Sequence, residues 1–319
     1  MTAVIGRYAP SPTGALHLGN LRTALAAYCS ALSQGGHFLL RVEDLDRPRV
    51  VEGSEALQIA DLRALGIEWE PQVLRQSERD AVYEDAFEGL RRNGYVYPCF
   101  CSRRDIREAL SAPHVEDRGP NAYPGTCESL SDDEAQSRIA VGEQHSWRLR
   151  VAGAPRLFED RFAGRCEIDL WQEGGDFVIR RADGLYAYQL ACAVDDALSA
   201  VTEVVRGADL LVSGARQAYL IQCLGHPVPA YAHIPLMLGE DGRRLSKRFG
   251  AEDLRHFFGQ GFDGEAIRSY LAFTLGILEL GERASMEDIS RRFDTKKIPR
   301  TNIGFIPGEL EMFRKRIQY

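Results

Sequence analysis

The 319-residue chain is 45% hydrophobic and 27% charged, with a formal net charge of −7. This balance fits an ordinary globular protein of about two domains and argues against a general nucleic-acid coat, which would be basic overall. No stretch of about 18 apolar residues offers a membrane span, and MTAVIGRYAPSPTG has neither the charged start nor the apolar centre of a secretory signal, so a cytoplasmic protein is expected. Seven cysteines, an odd number, do not suggest a disulfide framework; Cys29, Cys166, Cys192 and Cys223 sit among apolar residues and read as small core side chains.

In chain order, AVIGRYA (3–9) predicts a short strand, and PSPTG (10–14) a loop that leads into a helix near His17. The helical run LRTALAAYCSALS (21–33) stops at Gly35-Gly36, and HFLLRVED (37–44) predicts a second buried strand. EGSEALQIADLRALG (52–66) has apolar residues spaced three and four apart and predicts another helix. Strand, helix, strand, helix in this order predicts a parallel α/β sheet. From Cys99 to about Arg180 the pattern changes to a polar stretch followed by strand-like HSWRLRV (145–151) and CEIDLW (166–171), which reads as an insertion. Helix–strand alternation resumes over 185–211 and continues to AHIPLML (232–238); the chain beyond Arg248 reads as helical, including DGEAIRSYLAFTLGIL (263–278).

Two short segments carry nucleotide chemistry. APSPTGALHLGN (9–20) places a Pro/Gly-fixed loop before a helix start, where unpaired amides favour phosphate and the imidazole of His17 adds a donor. RLSKR (244–248) follows a Glu-Asp-Gly turn, and Lys247 there is a mobile point charge able to follow a phosphate. Either alone is weak, because a histidine near a helix start is more often plain surface and a basic loop is usually solvated. A third segment joins Cys99 and Cys101 to Cys127 through a polar stretch that must loop back. Three thiols would suit a tetrahedral metal ion with a fourth ligand from His114, Glu116, Tyr123 or Glu128; three free cysteines around a Tyr-Pro-Gly turn are the alternative. Residues 290–319 carry eight Lys or Arg against three acids, as a solvated face or a phosphate-facing patch.

Together HLGN (17–20) and RLSKR resemble the HIGH and KMSKS signatures of class I aminoacyl-tRNA synthetases. PSPTG before the histidine and VEDLDR (42–47) after the second strand are similar to the glutamate and glutamine branch. The resemblance implies an α/β fold: a Rossmann-type parallel sheet, an inserted zinc-binding subdomain of the acceptor-binding type, and a small C-terminal helical domain. The corresponding segments are 1–98 and 181–256 for the two catalytic halves, 99–180 for the insertion and 257–319 for the helical domain. It also implies a monomer.

The implied reaction is attack of an amino-acid α-carboxylate on the α-phosphate of ATP, with pyrophosphate leaving together with Mg²⁺. By resemblance His17 and Lys247 are catalytic, stabilising charge that grows on phosphate oxygens, and His17, Gly19, Ser246 and Lys247 bind ATP. For L-glutamate, Arg7 and Arg206 would take the side-chain carboxylate, which suits the planar fork of arginine. Glu43 and Tyr188 would hold and position the amino group, and Ser11 with Tyr8, Ala9 and Pro10 would complete the pocket. Without the resemblance, Arg7 and Arg206 would read as surface ion pairs, Tyr188 as core and Glu43 as a capping acid. Two departures stand out: Asn20 replaces the second histidine of the signature, and Cys192 stands where many glutamyl-tRNA synthetases carry asparagine.

Resemblance also completes the metal site. CxC followed by YxxxC matches short glutamyl-tRNA synthetase paralogues in which tyrosine is the fourth zinc ligand, giving Cys99, Cys101, Tyr123 and Cys127. VEDLDRPRVVEG (42–53) and RGADLL (206–211) share that likeness, whereas LSKRFGAEDL and IPRTNIGFIPGEL resemble full-length enzymes. The short paralogues transfer glutamate to queuosine in the anticodon of tRNA(Asp); Arg103, Arg104, Arg107 and the basic tail would hold phosphates of that RNA. Two other readings stay open: a shortened enzyme charging the 3′ end of tRNA(Glu), and a catalytically weak paralogue that binds RNA or a partner.

Overall fold

The structure, a computed structural model, describes residues 3–110, 123–239, 241–243, 245 and 253–314. The first two strands, β1 (Ile5–Tyr8) and β2 (His37–Val42), pair in parallel with Ile5 opposite His37. Parallel strands need a long crossover. It is α1 (Leu18–Ser33), whose alanine-rich surface is buried almost all round. Next come α2 (Ser54–Ala64), β3 (Leu74–Arg75) beside β2, and α3 (Asp80–Arg92).

The middle of the chain divides between two sheets. β4 (Val96–Cys99), β5 (Ser146–Leu149) and β8 (Phe177–Arg180) form an antiparallel sheet flanked in sequence by α4 (Arg103–Leu110) and α5 (Asp132–Ala140). The hairpin of β6 (Leu157–Asp160) and β7 (Gly164–Glu167) instead joins a second, mainly parallel sheet. Of the strand expected at 166–171 only Cys166 and Glu167 lie in β7; Asp169 then turns the chain by accepting the Trp171 amide at 3.0 Å.

After α6 (Tyr188–Leu198), β9 (Glu203–Gly207) and α7 (Leu211–Cys223), β10 (Ala230–Ile234) pairs in parallel with both β9 and β6. The Thr202 amide donates to the Ile5 carbonyl at 3.0 Å, and the Ile5 amide to Thr202 Oγ1 at 2.9 Å. These bonds bring β1 alongside β9, so the strands run β3-β2-β1-β9-β10-β6-β7, the reversal at the centre that marks a Rossmann-type switch point. Ligands bind outside the carboxyl ends of such strands.

The chain ends with β11 (Met237–Leu238), α8 (Leu254–Gly259), α9 (Gly264–Thr274), α10 (Met286–Arg292), β12 (Ile303–Gly304) and α11 (Pro307–Glu311). These helices share one apolar core with α1, through Tyr270, Leu271, Ile289 and, two residues past α11, Phe313. Arg22 of α1 is buried in that junction, donating to the Pro235 carbonyl at 2.7 Å and to Thr274. No described helix is long and apolar enough to cross a membrane.

Candidate active site and metal centre

The loop between β1 and α1 is fixed from both sides. Gln58 of α2 donates to the carbonyls of Ser11 and Gly14 at 3.0 and 2.6 Å, while the amides of Glu43 and Val51 bond the carbonyls of Pro10 and Pro12. Gly14 has φ +132°, a conformation that side chains rarely adopt. The loop delivers His17 to the N-cap of α1, where its Nδ1 accepts from the Asn20 amide and Asn20 Oδ1 accepts from the His17 amide, both at 3.2 Å. This reciprocal capping box explains the asparagine: it closes the first turn and leaves Nε2 as the protonated nitrogen of a neutral ring. Gly19 makes room, since a Cβ there would come within 3.1 Å of the His17 ring.

A cleft of about 530 Å³ opens at the switch point. Its lining brings together Arg7, Tyr8, Ala9, Pro10, Ser11, His17, Gly19, Glu43, Tyr188 and Arg206, from β1, the loop that follows it, α1, the residue after β2, α6 and β9. It also includes residues that the sequence did not single out, among them Thr13, Thr23, Arg49 and Asp209. Leu245, inside RLSKR, is buried and lines the same cleft; Ser246 and Lys247, with Arg244 and Arg248, lie outside the described residues.

Below the cleft is a charged network that sequence reasoning missed. Asp196, wholly buried, accepts from Arg7 Nε and Nη2 at 3.3 and 3.4 Å and from Arg41 Nη1 at 2.5 Å. Burial alone would push its carboxyl up, but Arg41 and Arg7 outweigh it and hold the pKa at about 2. Arg41 Nη2 also donates to Glu43 at 3.1 Å. The neighbouring Asp195 accepts from Gln76, Arg79 and Tyr83. Two adjacent acids in the apolar run LACAVDDAL were the available signal, because buried carboxylates require cations.

Cys192 is 1% exposed and directs its thiol at Glu43 Oε1, 3.0 Å away, rather than into the cleft. Burial and the Glu43 charge push this thiol far above its ordinary pKa, so it remains a donor. Arg206, 5% exposed, has a different environment. Its hydrogen bonds among the described residues go only to neutral groups: His233 Nε2 at 3.0 Å, Gln217 Oε1 at 2.8 Å and the Leu210 carbonyl at 3.4 Å. A buried guanidinium with no carboxylate partner favours an anionic ligand.

The thiols of Cys99, Cys101 and Cys127 lie within 4.8 Å of one another, so they could hold a metal ion. Cys101 and Cys127 sulfurs are 3.5 Å apart, and the Tyr123 hydroxyl is 3.3 Å from Cys99 and 3.7 Å from Cys101. A tetrahedral zinc with Zn–S bonds near 2.3 Å separates its sulfurs by about 3.8 Å, so the donors fit with little movement. The Arg148 guanidinium lies 3.7 Å over the Tyr123 ring. Of the other fourth ligands considered, Glu128 pairs with Arg150 at 3.4 Å, and His114 and Glu116 lie outside the described residues.

The family description "tRNA synthetases class I (E and Q), catalytic domain" matches residues 3–311. The chain is 45% identical over 313 residues to the glutamyl-Q tRNA(Asp) synthetase of Symbiobacterium thermophilum, covering 95% of this chain and 96% of that protein. It is 48% identical over 296 residues to the protein of the same name from Nocardia farcinica, covering 92% and 91%. Among solved structures it is similar to a glutamate tRNA ligase from Elizabethkingia meningosepticum in complex with its amino acid: TM-score 0.84, 26% identity, 98% of this chain and 69% of the other.

Proposed function

The chain belongs to the class I tRNA synthetases of the glutamate and glutamine branch, and on that premise we propose that it activates L-glutamate with ATP and transfers the glutamyl group to queuosine in the anticodon of tRNA(Asp). The observation that carries the glutamate part is Arg206, buried at the cleft with only neutral partners among the described residues. Arg206 and Arg7 take the side-chain carboxylate, while Glu43 and Tyr188 position the α-amino group. Tyr8, Ala9, Pro10 and Ser11 complete the pocket. This leaves the α-carboxylate directed towards ATP over the start of α1.

The α-carboxylate oxygen attacks the α-phosphorus, and the bond to the pyrophosphate oxygen breaks. His17 Nε2–H and Gly19, at the start of α1, stabilise the growing phosphate charge together with Ser246 and Lys247. The burial of Leu245 at the cleft supports a role for its loop there. Mg²⁺ accompanies ATP and pyrophosphate. Cys99, Cys101, Tyr123 and Cys127 hold one zinc ion, whose contribution is to fix the fold of the inserted segment.

The queuosine target is supported by the relatives named for it, which match over most of their own length. The chemistry also fits, because the cyclopentene cis-diol of queuosine resembles the terminal ribose of tRNA and offers a hydroxyl nucleophile. ATP–pyrophosphate exchange tests the activation step. We expect exchange with L-glutamate and no tRNA, and little with L-glutamine. Exchange with neither amino acid, with or without tRNA, would instead indicate a protein that binds RNA or a partner without catalysis.

A further inference from the structure

Three buried side chains connect β6, β10 and β9 in a line that ends at the cleft. In the parallel register His233 lies opposite Arg206, and Tyr231, two residues before it, lies opposite Asp160. Asp160 Oδ2 is 2.6 Å from His233 Nδ1, and Arg206 Nε donates to His233 Nε2 at 3.0 Å. Arginine has donors only, so Nε2 must present its lone pair, and the ring proton must be on Nδ1, facing Asp160. Only one neutral tautomer satisfies both neighbours.

The surroundings hold that arrangement. Tyr231 stacks on the imidazole at 5.8 Å, and Gly214 of α7 approaches so closely that a Cβ there would lie 2.7 Å from the ring. Burial lowers the pKa of His233, with the Arg206 and Arg7 charges adding, although Asp160 opposes them. Arg206 is therefore fixed at Nε by His233, at Nη1 by Gln217 and at Nη2 by Leu210. Of its five N–H groups, one on each terminal nitrogen has no hydrogen bond to a described residue, which leaves two donors for a carboxylate.

We infer that Asp160 and His233 are positioning residues that hold Arg206 in one orientation through a single neutral imidazole tautomer, and thereby set selectivity for an acidic over an amide side chain. The inference rests on the reading that Arg206 receives the substrate carboxylate.

Asp160→Asn isolates the tautomer. Asp160 Oδ1 accepts the amides of Phe162 and Ala163 and shares the His233 amide with Oδ2, at 3.2 and 3.1 Å, so an asparagine must keep its oxygen at the Oδ1 position and turn its NH₂ towards His233 Nδ1. The ring proton then moves to Nε2 and opposes the Arg206 N–H. We expect KM for L-glutamate in pyrophosphate exchange to rise roughly 10- to 100-fold, as for loss of a hydrogen bond to a charged group, with discrimination against glutamine falling and KM for ATP little changed. Imidazole ¹⁵N spectra should show wild-type His233 protonated at Nδ1 and the variant at Nε2. Wild-type KM and selectivity in Asp160→Asn, while Arg206→Leu loses both, would overturn the relay alone. Unchanged glutamate selectivity in Arg206→Leu would overturn the underlying reading as well. Should Asp160→Asn fail to fold, the wild-type spectrum decides: a ring protonated at Nε2, or at both nitrogens at neutral pH, contradicts the proposal.

Discussion

The Cys192 thiol donates to the Glu43 carboxylate across 3.0 Å, so the side chain that departs from the family pattern orients another site residue and does not line the cleft. Because Arg41 also holds Glu43, the thiol is one of two side-chain donors to it among the described residues. Cys192→Ala should therefore raise KM for L-glutamate by roughly 2- to 10-fold, the modest worth of a hydrogen bond from a weak thiol donor, and leave the maximal exchange rate nearly unchanged. A loss confined to the maximal rate would show that Cys192 does not act through Glu43.

Asn20 has a structural task that the second histidine of the signature would not perform in the same way. Its side chain accepts the His17 amide, while its own amide bonds the His17 ring. Asn20→Ala should lower stability by about 1 kcal/mol in thermal or denaturant unfolding and reduce the exchange rate. Asn20→Asp retains the acceptor and should restore most of both. Equal damage from the two substitutions would argue that the asparagine NH₂, and not the capping box, is what matters.

The Asp196 network gives a pH dependence of defined sign. Its folded pKa of about 2 lies below the ordinary 3.8, so the stabilisation is fully present above about pH 4 and is lost as pH falls towards 2. That difference corresponds to about 2 kcal/mol at neutral pH. The stability gap between wild type and Asp196→Asn should be constant from pH 7 to 5 and shrink on further acidification. A gap that widens in acid would contradict the assignment.

Metal content tests the thiol cluster independently of activity. Elemental analysis should find about one zinc per chain, and Cys101→Ser should lose it. Protein purified without chelators and containing no stoichiometric metal would remove zinc from the account.

Much of the cleft could be read from the sequence because proline, glycine and a helix-starting histidine fix local geometry within PSPTGALHLGN (10–20). The network beneath it could not. Arg7 and Asp196 are 189 residues apart, and Asp160 and His233 73 apart, so only the strand order brings them together. Sequence reading likewise treated Cys192 as a small core residue or a weak substrate contact, because cysteine is both apolar and a donor, and its actual partner depends on where α6 faces β2. CEIDLW (166–171) misled in the opposite way: its alternation suits a strand, but Asp169 ends the extended run with a local turn.

The most direct measurement asks where the glutamate lands. With ATP and radiolabelled L-glutamate, label should attach to queuosine-containing tRNA(Asp) and to its isolated anticodon stem-loop. It should be absent from the same RNA with guanine at that position, and removal of the 3′-terminal adenosine should make no difference. If labelling instead requires that adenosine, or appears on tRNA(Glu) and not on tRNA(Asp), the queuosine assignment is wrong and the enzyme charges a tRNA 3′ end.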